Sequence, residues 1–122
     1  MTSRNNPKRG EVWLVNFDPQ VGAEIAKTRP AIVVNADAIS PLELRIIVPI
    51  TDWKDAFERH WTKVRISPSS GNGLSKESAA DAFQLKSVSL VRFLRSTPLG
   101  RLSRPEMEDV GVAIRVATAL DI

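Results

Sequence analysis

Two residues in this chain of 122 amino acids are set where they could do chemistry together. Arg29 lies in Lys27-Thr28-Arg29-Pro30, directly before the apolar run Ala31-Ile32-Val33-Val34, and Thr51 closes the run Ile46-Ile47-Val48-Pro49-Ile50. Upstream, Asp18-Pro19-Gln20-Val21-Gly22-Ala23-Glu24 reads as a loop that offers a carboxylate. If the two runs are neighbouring strands, Arg29, Thr51 and Glu24 converge. A cation, a hydroxyl and a carboxylate at one place suit a phosphate, and a phosphodiester in particular. The planar guanidinium fork matches phosphate oxygens, and a threonine hydroxyl donates to a non-bridging oxygen. Guanidinium stays protonated at ordinary pH, so Glu24 is the nearest candidate base, provided its loop folds over the site. Taken one by one, the three have plainer readings: a surface ion-pairing arginine, an ordinary strand threonine and a solvated loop carboxylate.

A second constellation is Asp52-Trp53-Lys54-Asp55-Ala56-Phe57-Glu58-Arg59-His60-Trp61, which interleaves aromatics with cations. Trp53, Lys54, Arg59 and His60 are candidates for stacking bases and holding phosphates of a single strand. The alternative is structural: Trp53, Phe57 and Trp61 stand four apart, share one helical face, and at least one of them is expected to anchor the segment. Asp52, Asp55 and Glu58 have a spacing that a metal site could use, but Lys54 and Arg59 interleave, so a self-paired solvated face is expected. No metal and no cofactor are expected. His60 is the one histidine in the chain and there is no cysteine. A two-histidine mechanism, thiolate catalysis, disulfides and thiolate metal sites are therefore excluded. Gln84 and Lys86 read as the solvent side of a strand.

The elements that must position these residues follow from pattern. The length fits a single domain over residues 1–122, with 1–7 a polar, loose arm. Net charge is +3, which permits an acidic partner such as RNA. No stretch reaches the apolar length of a membrane span, and residues 1–10 lack an apolar signal core, so no membrane association and a cytoplasmic location are expected. Glu11 to Phe17 is apolar, β-branched and aromatic, a buried strand stopped by Asp18-Pro19. Strands are predicted over Ala31–Asn35, Leu44–Thr51, Thr62–Ser67 and Ser78–Lys86. Pro30 belongs at a strand start or edge, and Pro49 marks a bulge or an edge. Pro68 to Gly73 is turn chemistry. Val88–Leu94 is read as a short helix, although Val88-Ser89-Leu90 also alternates. Ser103-Arg104-Pro105-Glu106 has capping-box spacing with proline in the first turn, and Met107, Val110, Ile114 and Ala117 then share a helical face. Many short strands followed by a terminal helix argue for a small, mainly β barrel with added helices.

Arg9-Gly10-Glu11-Val12-Trp13 opening a strand, Val21-Gly22-Ala23-Glu24 in the following loop, and Arg29-Pro30 before an apolar strand together resemble the MazF/PemK family of toxin endoribonucleases, over roughly Lys8 to Leu120. The resemblance implies an SH3-like β-barrel of the MazF/CcdB toxin type with a C-terminal helix. It implies a type II toxin that cleaves single-stranded mRNA at a short sequence, without metal, leaving a 2′,3′-cyclic phosphate and a 5′-hydroxyl. It places the family's catalytic arginine on Arg29, its threonine on Thr51 and its loop glutamate on Glu24. It also places Gly22, Lys27 and Thr28 beside the RNA, with Gln84 and Lys86 near the RNA and the dimer groove. A homodimer and an acidic antitoxin of the MazE type are implied as partners. The departures are Phe83, where an acidic residue is usual, Ala23 in place of serine, and Asn35-Ala36-Asp37 in place of a Ser-Asn pair. A non-enzymatic, CcdB-like gyrase poison on the same fold is the alternative, along with an inactive relative. CcdB works through a tail tryptophan, and Ala119-Leu120-Asp121-Ile122 has none.

Overall fold

The computed structural model describes residues 5–39 and 41–120. Its strands are β1 (Glu11–Asn16), β2 (Thr28–Val33), β3 (Leu44–Asp52), β4 (Lys63–Ile66), β5 (Ser78–Asp81), β6 (Lys86–Ser89) and β7 (Gly100–Arg101), and they precede a single long helix, α1 (Arg104–Thr118). They form one antiparallel sheet in the order β4-β5-β3-β2-β1-β7, with β6 also on β3. This is a curved half-barrel with a C-terminal helix, the mainly β architecture predicted above.

The near-continuous apolar character of β1, β2 and β3 has a direct cause, because both faces of the sheet are covered. On one face Val12, Ile32, Val48, Ile50, Ile66 and Ala80 pack with Leu102 and with Val110 of α1. On the other, Trp13, Val15, Phe17, Ala31, Val33 and Ile47 pack with Val88 and Phe93, and Trp13 meets Phe93 edge-on at 5.8 Å. Strand parity therefore fixes which side chain faces which layer.

The helix is built as its sequence announces. Ser103 Oγ accepts from the Glu106 amide (3.2 Å) while Glu106 Oε1 accepts from the Ser103 amide (2.7 Å), and Pro105 sits in the first turn. The second Glu106 oxygen accepts from Asn72 Nδ2 (3.2 Å). Asn72 is fully buried, and its side chain also receives the amides of Ser69 and Leu74. The cap thus ties the helix to the Ser67–Leu74 turn. Beside it, two segments cross so closely that a Cβ on Gly73 would stand 2.1 Å from the Leu99 carbonyl oxygen, and one on Gly100 2.4 Å from the Asn72 carbonyl carbon.

Four expectations change. The strand predicted over Ala31–Asn35 is Thr28–Val33, with Pro30 inside it, because Thr28–Pro30 pair with Leu14–Asn16 of β1. Ser78–Lys86 is not one strand: β5 ends at Asp81, whose side chain accepts from the Phe83 amide and starts a 3₁₀ turn at Ala82–Gln84. Val88–Leu94 is not a helix. Val88 and Ser89 finish β6 against Leu44 and Arg45, and one 3₁₀ turn, Leu90–Arg92, follows because Ser89 Oγ accepts from the Val91 amide. Of the arm over residues 1–7, Asn5–Pro7 are held, while residues 1–4 lie outside the described residues. The anchor is Arg45, 1% exposed. Its guanidinium donates to the carbonyls of Pro7 (2.9 Å), Leu42 (2.7 Å) and Leu44 (2.8 Å) and to Asn6 Oδ1 (3.0 Å).

Arg45→Ala removes donors from three carbonyls at once and should lower stability by about 2–4 kcal/mol. Equilibrium urea unfolding measures this, and an unchanged midpoint would show that the Arg45 anchor contributes nothing.

Candidate functional site

The site begins with register. Val33 pairs with Ile47, Ile32 with Val48 and Ala31 with Pro49. Pro30 has no N–H to continue this ladder, and the pairing stops one residue before it. Extending the register two places sets Arg29 across from Thr51, on strands that no longer bond to each other. Thr51 is held on its other side by β5, opposite Ala79. Half-buried Arg29 donates from Nε to the Ala26 carbonyl at 3.1 Å, which fixes the fork. Its terminal nitrogens make no hydrogen bond among the described residues. Both residues line two adjoining hollows of about 400 and 350 Å³, together with Asp52. Lys54 lines the first, and Thr28 lines the second.

Glu24 occupies a third hollow, of about 440 Å³, which shares Ile25, Lys63, Asp81 and Gln84 with the first. The three hollows are segments of one groove. Within it the structure joins Arg29 to Thr51 and sets Glu24 in the next segment. There the Glu24 carboxylate pairs with Lys86 Nζ at 3.6 Å, both partly solvated. The loop carrying Glu24 is tied at several points. Lys27 donates its amide to Asp18 Oδ1 (2.7 Å) and accepts from the Phe17 amide (2.8 Å). Arg92 donates to the Asn16 and Asp18 carbonyls at 3.0 and 2.7 Å. Lys27 adopts φ +68°, a conformation rare outside glycine, directly before Thr28 and Arg29, and such backbone strain clusters at functional sites. Gly22, φ +56°, has open space around it and lines none of these hollows.

Gln84 does more than face solvent. Its Oε1 accepts from the Ile25 amide at 2.6 Å and its Nε2 donates to Asp81 Oδ2 at 3.3 Å. Asp81, 4% exposed, also accepts from Lys63 Nζ at 3.2 Å. A chain of contacts, Lys63–Asp81–Gln84–Ile25, thus stitches the Glu24 loop to the sheet. Asp81 was missed in the sequence. The signal was its position two residues before Phe83, the spacing at which an aspartate caps a turn.

The Asp52–Trp61 segment separates into packed and exposed parts. Trp53 and Phe57 meet edge-on at 5.8 Å, with Arg65 over the Trp53 ring at 5.0 Å and Lys63 over Phe57 at 4.9 Å. Arg65 Nε and the Ser67 hydroxyl both donate to Glu77 Oε1, and the Ser67 and Arg65 bonds hold that carboxyl below its usual range. Trp53 is therefore an anchor, half-buried in this cluster. Arg59 and His60 are exposed and lie outside the three hollows, with the His60 ring 6.0 Å from Phe57. Asp55–Arg59 forms a 3₁₀ turn, not an α-helix, so the four-residue spacing does not carry Trp61 onto the packed face. Trp61 is 82% exposed. Asp52 pairs with Lys76 at 3.0 Å. Among the described residues no three His, Asp or Glu side chains gather in a way that could hold a metal ion, and no helix is long and apolar enough to cross a membrane.

Residues 8–118 match the family described as PemK-like, MazF-like toxin of type II toxin-antitoxin system. Endoribonuclease MazF9 of Mycobacterium tuberculosis is 31% identical over 115 residues, covering 89% of this chain and 93% of that protein. In fold, the chain is similar to MazF of Deinococcus radiodurans (TM-score 0.76, 22% identity, 93% of this chain and 97% of the other). It is also similar to a mycobacterial endoribonuclease in complex with its cognate antitoxin (TM-score 0.73, 18% identity, 95% and 98%).

Gln84→Leu keeps the side-chain volume but removes the acceptor for the Ile25 amide. Hydrogen exchange at Ile25 should accelerate by about 5- to 100-fold, the equivalent of one lost buried hydrogen bond, while exchange in β1 and β3 stays unchanged. Unaltered exchange at Ile25 would show that Gln84 does not hold the loop.

Proposed function

The chain belongs to the PemK-like, MazF-like family of type II toxin–antitoxin toxins, and from that premise we propose that it is a cytoplasmic endoribonuclease cutting single-stranded mRNA at a short sequence. The observation that carries this reading is that Arg29 and Thr51, opposite each other in the extended β2–β3 register, line the same two adjoining hollows. RNA supplies its own nucleophile, the 2′-hydroxyl beside each phosphate. The protein must align that hydroxyl, move protons and stabilise charge on a pentacoordinate phosphorus. Fixed donors aimed at the developing charge supply much of the effect. Arg29, with Nε already tethered, presents its terminal nitrogens to the phosphate, and the Thr51 hydroxyl donates to a non-bridging oxygen. Glu24, in the adjoining segment of the groove, takes the 2′-hydroxyl proton once RNA displaces Lys86 from it. The 2′-oxygen bonds to phosphorus, the P–O5′ bond breaks, and the departing 5′-oxygen takes up a proton from water, giving a 2′,3′-cyclic phosphate and a 5′-hydroxyl. Thr28, Lys54 and Lys86 track the strand, with Lys27, Arg59 and His60 at its rim. Gln84, and Trp53 in its aromatic cluster, serve the RNA by positioning the walls it meets.

No step in this chemistry uses a metal, so cleavage of a structureless RNA should persist in excess EDTA. Loss on chelation with rescue by magnesium or manganese would replace the mechanism.

Arg29→Ala should cut the rate by about 100- to 1,000-fold, and Thr51→Ala should act in the same direction with a smaller loss, both in folded protein. An Arg29→Ala variant that folds normally and cleaves at the wild-type rate would remove Arg29 from the site.

The protein works as a symmetric homodimer with RNA running along the interface, held in check by an acidic antitoxin of the MazE type. Arg29, Lys54 and Lys86 line adjoining segments of the groove. An extended acidic segment laid over them would occupy the phosphate path and fold as it binds. Light scattering should give the mass of two chains at micromolar concentration, and a monomer would refute the dimer. Antitoxin on-rates should fall with added salt. Simultaneous binding of RNA and antitoxin without loss of affinity would exclude occlusion of the groove.

A further inference from the structure

We propose that Trp61 and Phe83 form a two-aromatic clamp for one unpaired nucleobase at the outer end of the groove, an inference that rests on the endoribonuclease reading above. The β4–β5 ladder pairs Val64 with Ala80 and Lys63 with Asp81. Past its end the Ala82 amide donates to the Thr62 carbonyl at 2.9 Å. Trp61 and Phe83 adjoin the two residues that this bond joins, Phe83 already within the Ala82–Gln84 3₁₀ turn. Both side chains are outside the core, 82% and 74% exposed. Scattered apolar residues on a surface need no explanation. Two large aromatic side chains flanking one backbone hydrogen bond at the end of the β4–β5 ladder, one of them lining the groove, are a different matter.

The base beneath them is rigid. Asp81 accepts from the Phe83 amide at 3.1 Å and from Lys63 at 3.2 Å, and Ala82 between them is buried. A ligand that stacks here therefore meets rings whose backbone is already in place, which reduces the ordering cost of binding. Phe83 also lines the hollow that holds Glu24 and Lys86, and Arg59-His60 directly precede Trp61. Flat apolar faces next to cations match a nucleotide, whose base stacks while its phosphate finds the charge.

The test uses the full-length protein and single-stranded oligodeoxynucleotides, which lack the 2′-hydroxyl and cannot be cleaved, each carrying 2-aminopurine at one position. The wild type should quench the probe strongly at one position. Trp61→Ala and Phe83→Ala should abolish that quenching and weaken binding by roughly 5- to 150-fold, the equivalent of one stacked base, while Phe83→Tyr retains both. On cleavable RNA the alanine variants should raise KM by a similar factor and leave kcat unchanged. Wild-type KM and quenching in both alanine variants would refute the clamp and leave the nuclease reading intact. A wild type that neither binds nor cleaves RNA would remove that reading and the clamp with it. Variants that keep RNA binding but lose association with a second copy of the chain, or with an acidic protein, would reassign the two rings to a protein interface and likewise refute the clamp.

Discussion

The register of β2 against β3 is the constraint from which the rest of this molecule follows. Both faces of the sheet are buried, so a slip of one residue would turn every apolar side chain to the wrong layer. Burial therefore locks Ala31 to Pro49 and Val33 to Ile47, and Arg29 is carried to Thr51 as a consequence. Two prolines then open what the register closes. Pro30 cannot extend the β2–β3 ladder, so the strands part where the two polar residues face each other. Pro49 stands where β3 gives up β6 and takes up β5. The gap on that side is filled by the Ala82–Gln84 turn, which supplies the residues that hold the Glu24 loop.

Rigidity at the walls of the groove comes from a small polar network. Buried Asp81 receives hydrogen bonds from Lys63, Gln84 and the Phe83 amide, which together offset the cost of burying a carboxylate. Because Gln84 spends its oxygen on Ile25, the same network reaches the loop that carries Glu24. Charge-stabilising catalysis depends on donors that do not reorganise during reaction. Arg29, tethered through Nε to Ala26, meets that requirement, whereas Glu24 in its solvated pair with Lys86 must exchange partners to act. In the proposed mechanism this separates a fixed electrostatic half from an adjustable proton-transfer half.

Much of this was legible in the sequence wherever one local rule decides an outcome. The capping box at Ser103–Glu106 predicted the helix start and the apolar run Glu11–Phe17 predicted β1, whereas Pro30 marks the end of the β2–β3 pairing and not the start of β2, which runs on to Thr28 along β1. The pairing of Arg29 with Thr51 was legible only as a condition, since the sequence shows two runs but not which strand neighbours which. What stayed hidden was decided by tertiary contacts or by short turns. Ser78–Lys86 alternates well enough for one strand, and only the Asp81 side chain, capping Phe83, breaks it. Val88–Leu94 has an apolar content that a helix could use, but pairing of β6 with Leu44–Ile47 overrides it. The polar arm gave no hint that Arg45, far along the chain, would hold Asn6 and Pro7. Trp53 and Trp61 look equivalent in sequence. A 3₁₀ turn in place of an α-helix packs one and exposes the other. The tail used to weigh the gyrase-poison alternative ends in Asp121 and Ile122, which lie outside the described residues.

The central claim is that Arg29 and Thr51 act on one phosphate because the sheet sets them face to face. Single-turnover cleavage by wild type, Arg29→Ala, Thr51→Ala and the double variant tests it most directly. Residues that serve one transition state as a unit are strongly non-additive, so the double variant should be little slower than Arg29→Ala alone. Losses that multiply, giving a double variant slower by the product of the two single effects, would mean that the two residues act independently and would contradict the account.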